Sequence, residues 1–232
     1  VESPRKNLLQ LFYDLMARQS RVEFEAVILD WDNTLHDSAA VNFAALRAVL
    51  ADHGIAIEEA DYRRAYTTDY HLLYQRLGLP ESAVPTASDR WRELVAHAVP
   101  RLLPGAREAL ERLHDAGVRL ALLTTGRRRI VSVQLAQLAL AGEFAATVFG
   151  DGQPPRPDPA PLLQTLAQLG LPAGRAILCS DAPADMRMAR SAGVRAVGVA
   201  TFVATEEMLR AAGANETAPT LIAWAERSLA AP

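Results

Sequence analysis

A run of branched apolar residues, Ala26 to Leu29, ends abruptly in Asp30 and Asp32, with Thr34 close behind. An extended backbone points residues i and i+2 the same way, so the two carboxylates can share one spot at the end of a buried strand. A carboxylate with an ordinary pKa of about 3.9 is ionised at neutral pH and can attack phosphorus without a separate base. Its neighbour can then donate or accept a proton. The same spacing also suits a helix cap beside an exposed acid, so the remaining polar residues have to discriminate.

Three further groups stand at comparable places. Thr124 follows the apolar run Arg119 to Leu123, Asp181 follows Ala176 to Cys179, and Asp185 lies one helical turn beyond Asp181. Ligands of open parallel sheets bind outside the carboxyl ends of the strands, so residues recurring at strand ends are what a catalytic crevice requires. Four acids converging there, Asp30, Asp32, Asp181 and Asp185, would raise one another's pKa unless a cation lay among them. An oxygen-only donor set without a Cys or His cluster favours a hard ion such as magnesium over zinc. Taken singly, Asp181 could be a helix cap and Asp185 a solvated acid.

The elements that must position these groups follow from periodicity and breakers. Ser38 reads as the N-cap of a helix with Phe43, Leu46 and Leu50 on one face, stopping at Gly54. More helix is expected over Tyr62 to Leu77 and Arg90 to Val99, with breaks at Gly78, Pro80, Pro85 and Pro100. Residues 39–100 therefore read as an all-helical insertion, a cap, within a core formed by 22–38 and 101–232. From Arg101 onward helices alternate with short apolar strands, the grammar of a parallel sheet covered on both faces. The expected order is helix Ala106–Ala116, strand Arg119–Leu123, helix Arg127–Leu140, strand Thr147–Phe149, a helix capped by Asp158 with Pro159 first and ending at Gly170, strand Ala176–Cys179, helix Pro183–Ala192 and strand Arg195–Val199. The tail from Glu206 reads as helical. Asn7 to Ala17 reads as a helical extension with an apolar face, suited to packing on the core or on a partner chain. The fold class is thus α/β, a Rossmann-like parallel sheet with helices on both faces and an inserted helical cap.

Bulk properties narrow the function. At 232 residues, half of them hydrophobic and with a net charge of -3, the chain has no basic surface calling for nucleic acid. It has no apolar stretch near the roughly 20 residues of a membrane span, and no signal-peptide pattern opens the sequence given, so a cytoplasmic setting is expected. The single cysteine, Cys179, excludes an internal disulfide and reads as a buried structural thiol. Lys6 is the only lysine among the 24 basic residues, leaving 23 arginines.

Together DWDNTL, LALLTT, RPDPAPLL and SDAPAD, in that order, resemble the four motifs of the haloacid dehalogenase-like superfamily, in its phosphatase branch with a helical cap. Within it the chain is most similar to phosphoglycolate phosphatase-like members. The resemblance implies that Asp30 forms an aspartyl-phosphate while Asp32 protonates the leaving oxygen and later activates water. Thr124 would hydrogen-bond a phosphoryl oxygen, with Thr125 and Gly126 beside it as substrate-binding residues. It also implies that Asp30, Asp32 through its carbonyl, Asp181 and Asp185 bind magnesium, and that Arg156 serves as the catalytic cation. The substrate would be a small phosphorylated metabolite, and the protein a monomer or homodimer.

Arg156 stands where that family usually has lysine, exchanging a compact ammonium for a planar fork. Asn33 occupies a usual glycine position, and asparagine tolerates positive φ better than most residues. Ser180 replaces the glycine before the metal aspartate. Asp32 argues against the dehalogenase branch. A phosphomutase, or an inactive relative that binds a phosphorylated ligand or partner, stays open. In the helical insertion Arg63, Arg64, Tyr66, Thr67, Asp69 and His71 could reach a polar substrate or lie on solvated faces, and His36 and Asp37 read as a hinge, His36 as a hinge or surface residue.

Overall fold

The structure is a computed structural model that describes residues 23–66 and 70–230. The expected helix over Asn7 to Ala17, together with Thr67 and Asp69, lies outside the described residues. The chain divides into two compact units, one of residues 36–101 and one of the remainder.

The larger unit is built on six parallel strands, β1 (Ala26–Leu29), β2 (Arg119–Leu123), β3 (Ala146–Val148), β4 (Ala176–Ser180), β5 (Arg195–Val199) and β6 (Glu216–Ala218). They lie in the order β3-β2-β1-β4-β5-β6. Leu29 is level with Leu122 on one side and Cys179 on the other, so the carboxyl ends of β1, β2 and β4 finish together. The strand order reverses at β1, and this switch point opens a crevice for a ligand.

Alternation along each strand feeds two apolar layers. Val27, Leu29, Leu120, Leu122, Ile177 and Cys179 face one side, beneath helices α5 (Ala106–Asp115), α6 (Arg128–Gln137) and α10 (Leu221–Ala230). Ile28, Ala121, Leu123, Leu178 and Ala196 face the other, beneath α7 (Ala160–Leu169), α8 (Pro183–Ala192) and α9 (Glu206–Ala212). Both faces being covered explains why the strands read as continuous apolar runs. Cys179 is fully buried, and burial pushes its thiol pKa well up, as a structural cysteine requires.

Among the described residues the elements of the smaller unit are helices: α1 (Ser38–Ala51), α2 (Glu59–Ala65), α3 (Tyr70–Arg76) and α4 (Val84–Ala96). Leu46, Val49, Leu50, Tyr62, Leu73, Tyr74 and Val84 are buried in it. Tyr62 stacks on Phe43 at 5.7 Å between ring centroids.

Several local expectations are corrected. The N-cap of α1 is Asp37, whose carboxylate accepts from Ala40 N at 3.2 Å; Ser38 is the first helical residue. Both residue types cap well, and the carboxyl oxygen also meets the positive end of the helix. Pro85 does not break the chain. It occupies the first turn of α4, where its missing N–H costs nothing. The helix expected over Tyr62 to Leu77 is observed as α2 and α3, with α2 beginning earlier, at Glu59. The C-terminal tail is not all helix, because Glu216–Ala218 pairs with β5 as an edge strand. His36 is buried rather than on the surface. Asp158 accepts from Ala160 N at 2.8 Å, but α7 begins at Ala160 with Pro159 as its N-cap, one residue later than expected.

Candidate active site

Asp30 leaves β1 directly into the switch-point crevice, its backbone N donating to Cys179 O at 3.0 Å. The next turn reverses through Asn33, whose φ of 58° is the left-handed conformation that asparagine tolerates. That reversal brings Thr34 Oγ1 under the loop after β4, where it accepts from Asp181 N at 3.1 Å. Asp181 and Asp185 follow on this loop and the first turn of α8, and Asp30, Asp181 and Asp185 are all buried.

The cation among them is Arg156. Its Nη2 donates to Asp30 Oδ1 at 3.1 Å and to Leu123 O at 2.9 Å, while Nη1 donates to Asp185 Oδ2. The side chain is 10% exposed, so it is not a solvated loop residue. A planar fork can serve acceptors lying off two different nitrogens, which explains how arginine satisfies three partners here.

Burial pushes the pKa of Asp30 well above the ordinary carboxylate range despite the pull of Arg156, and Asp185, Asp181 and Asp32 add to the rise. Asp181 is pushed up to about 7, first by burial and then by Asp185, with the Thr201 hydroxyl opposing. Burial also raises Asp185, against Arg156 and the Ser180 hydroxyl. Arg156 is held above its usual value by Asp30 and Asp185, although burial works the other way. The rise is the one expected of converging acids without a metal ion among them: one guanidinium does not neutralise this set.

The donor chemistry fits a small hard cation. Asp185 Oδ1 is buried without a hydrogen-bond partner of ordinary geometry among the described residues, the Ser180 hydroxyl only tempering its charge. Asp30, Asp181 and Asp185 are the side chains whose oxygens would hold such an ion, although as placed here no three or more His, Cys, Asp or Glu side chains among the described residues form a group that could hold a metal. Magnesium suits this arrangement, because it takes one or two carboxylates and completes its shell with other oxygens and water.

Thr124 is buried at the end of β2, its N bonded to Val148 O at 3.0 Å and its Oγ1 accepting from Gly126 N at 2.9 Å. A Cβ on Gly126 would come within 2.6 Å of Val131 Cγ2 and 3.1 Å of Thr124 Oγ1, so this turn closes only with glycine. Gly150 N donates to Gly126 O, and a Cβ there would fall 2.0 Å from Thr125 O. Thr125 itself is exposed, with its carbonyl against Gly150. Asp32 is half-buried and close enough for its charge to raise both Asp30 and Asp181.

The structure thus brings Asp30, Asp32, Arg156, Asp181 and Asp185 together, with Thr124 on the neighbouring strand end. Arg63 and Arg64 are instead engaged on the surface of α2 with Glu59 and Asp61. Sequence reading missed Thr201 and Gly150. Thr201 lies two residues past the end of β5, the same kind of strand-end position that marked Thr124, and Gly150 lies in the FGDG turn after β3.

Fold and site together define an α/β protein with acidic side chains gathered beyond the carboxyl ends of its central strands. Residues 27–199 match the haloacid dehalogenase-like hydrolase family, and the chain belongs to it. A phosphoglycolate phosphatase from Rhodospirillum rubrum is 35% identical over 188 residues, 75% of this chain and 78% of the relative. A phosphorylated carbohydrates phosphatase from Thermotoga maritima is 30% identical, covering 82% and 92%. Among solved structures, a T. maritima protein provisionally described as a β-phosphoglucomutase superposes with a TM-score of 0.72 at 26% identity, covering 88% and 98%. The chain is an enzyme of the phosphoric monoester hydrolase class.

Proposed function

We propose that this enzyme is a magnesium-dependent phosphatase that hydrolyses a small phosphomonoester of the phosphoglycolate type through an aspartyl-phosphate on Asp30. The observation that carries the reading is the buried bridge from Arg156 to Asp30 and Asp185 at the switch point of the sheet. Asp30 attacks phosphorus, forming an O–P bond as the ester O–P bond breaks, and Asp32 gives its proton to the leaving oxygen. Asp32 then takes a proton from water, which attacks the acyl phosphate and releases inorganic phosphate and Asp30. Thr124 hydrogen-bonds a phosphoryl oxygen, with Thr125 and Gly126 lining the same turn, and Arg156 holds Asp30 in line while balancing charge. Magnesium, held by Asp30, the Asp32 carbonyl, Asp181 and Asp185, would neutralise charge gathering on the phosphoryl oxygens.

The unit formed by residues 36–101 is the cap that selects substrate in this reading. A small phosphorylated metabolite met by a cytoplasmic monomer or homodimer suits the composition and the one buried thiol. The likeness to the T. maritima structure motivates a second reading, a phosphomutase that shields the same intermediate from water.

The test is release of phosphate from p-nitrophenyl phosphate and a panel of phosphoglycolate, sugar phosphates and pyrophosphate, with magnesium and with EDTA. We expect magnesium-dependent turnover that Asp30→Asn abolishes while the melting temperature is kept. Equal, negligible turnover by wild type and Asp30→Asn on every ester would end the phosphatase reading, and isomerisation of a sugar phosphate without phosphate release would select the mutase.

A further inference from the structure

The loop after β5 aims a hydroxyl at the crevice. Thr201 Oγ1 accepts from the backbone N–H groups of Val203 and Ala204, both at 3.3 Å. A hydroxyl has two lone pairs and one hydrogen. With both lone pairs taken, the hydrogen is left for Asp181 Oδ2, 3.3 Å away. The hydroxyl cannot turn elsewhere without giving up bonds within its own loop. Thr201 N also donates to Ala204 O at 3.0 Å, and Ala204 is buried in the apolar layer below, which anchors the loop.

Asp181 is therefore held at two points. Its backbone N is fixed by Thr34 from the loop after β1, and one carboxylate oxygen is fixed by Thr201 from the loop after β5. The constraint on Oδ2 orients Oδ1 as well, because the carboxylate is rigid and planar.

We propose that Thr201 is a positioning residue, setting the rotation of the Asp181 carboxylate so that Oδ1 is presented to a divalent cation. The proposal rests on the reading of Asp181 as a magnesium ligand. Groups that hydrogen-bond a ligating side chain typically change metal affinity by about 10- to 100-fold when removed. A single bond of 3.3 Å, long for a hydroxyl donor, belongs at the lower end of that range.

The experiment is calorimetric titration of magnesium chloride into the metal-free full chain, for wild type, Thr201→Val and Thr201→Ser, with thermal melts in EDTA alongside. Expected are about tenfold weaker magnesium binding in Thr201→Val and recovery to near wild-type affinity in Thr201→Ser, which keeps the donor. The KM for p-nitrophenyl phosphate at saturating magnesium should not move. Should the valine variant fail to fold, Thr201→Cys, with a weak donor of similar size, is expected to show the same loss of affinity. A valine or cysteine variant that melts early yet binds magnesium as wild type does would make Thr201 a loop staple only, overturning the proposal. A folded serine variant that fails to recover affinity would overturn it too. Absence of magnesium binding in wild type would instead remove the metal reading beneath the proposal, a result distinct from unchanged affinity in the variants.

Discussion

Replacing Arg156 by methionine tests the electrostatics of the site most directly. The substitution keeps much of the apolar stem and removes the guanidinium from Asp30 Oδ1, Asp185 Oδ2 and Leu123 O. Deleting one partner of a buried ion pair costs about 3–5 kcal/mol, because the other charge is left uncompensated. Here the carboxylates have an escape, since they can take up protons. Burial already raises the pKa of Asp30 and Asp185 in the presence of Arg156, and its loss raises them further. A group whose folded pKa lies above its unfolded value lends stability that is present below the unfolded pKa and fades as pH climbs through the folded one. The variant's deficit should accordingly be small at pH 5 and approach about 3–5 kcal/mol at pH 8. For a chain of this length each kcal/mol moves the melting temperature by about 2–4 °C, so a loss of roughly 10 °C is expected at pH 8. Thermal melts and urea titrations in EDTA at both pH values measure it. Arg156→Lys, which keeps the charge, should recover most of the pH 8 stability. A deficit equal at the two pH values, or absent at pH 8, would refute the reasoning, because the guanidinium would then not be compensating buried carboxylates.

The rise of Asp181 from 3.8 to about 7 makes the metal-free protein lose stability as pH increases between those values, by roughly 4 kcal/mol at about 1.4 kcal/mol per pH unit. Asp181→Asn lacks this titration, so the urea stability of wild type relative to that variant should fall by this order from pH 4 to pH 8 in EDTA; a flat difference would contradict the burial of the group. Gly150→Ala should lower stability by about 1–3 kcal/mol or more and depress turnover of p-nitrophenyl phosphate, because its Cβ would meet the Thr125 carbonyl and displace the turn that carries Thr124. Wild-type turnover and melting temperature in that variant would show that the turn yields freely.

What local sequence determines is substantial. Short apolar runs and helix breakers sufficed for the strands Arg119–Leu123 and Arg195–Val199 and the helix Pro183–Ala192, each observed at the expected bounds. Buried parallel strands are continuous apolar runs, and Gly or Pro marks their ends, so such elements are written in contiguous residues. Asn33 was legible for the same reason: a positive φ is a property of one residue and its turn. Edge strand β6 was not, because Glu216–Ala218 is three residues long and becomes a strand only through pairing with β5.

The site divides along the same line. Asp30, Asp32, Thr124, Asp181 and Asp185 could be named from their positions at strand ends. Their charge state could not, since it depends on how much water the assembled crevice excludes and on which carboxylates face each other, and both are set by chain segments far apart in sequence. Arg156, named from the resemblance carried by RPDPAPLL, is 126 residues from Asp30, and only the fold brings its fork onto Asp30, Asp185 and the Leu123 carbonyl. Thr201 belongs to no motif at all, and only tertiary structure, by filling both its lone pairs, gives its single hydrogen a direction. The sequence by itself determined which groups reach the crevice; the tertiary structure decided their charge and orientation, because desolvation and hydrogen-bond geometry arise only between segments that packing has brought together.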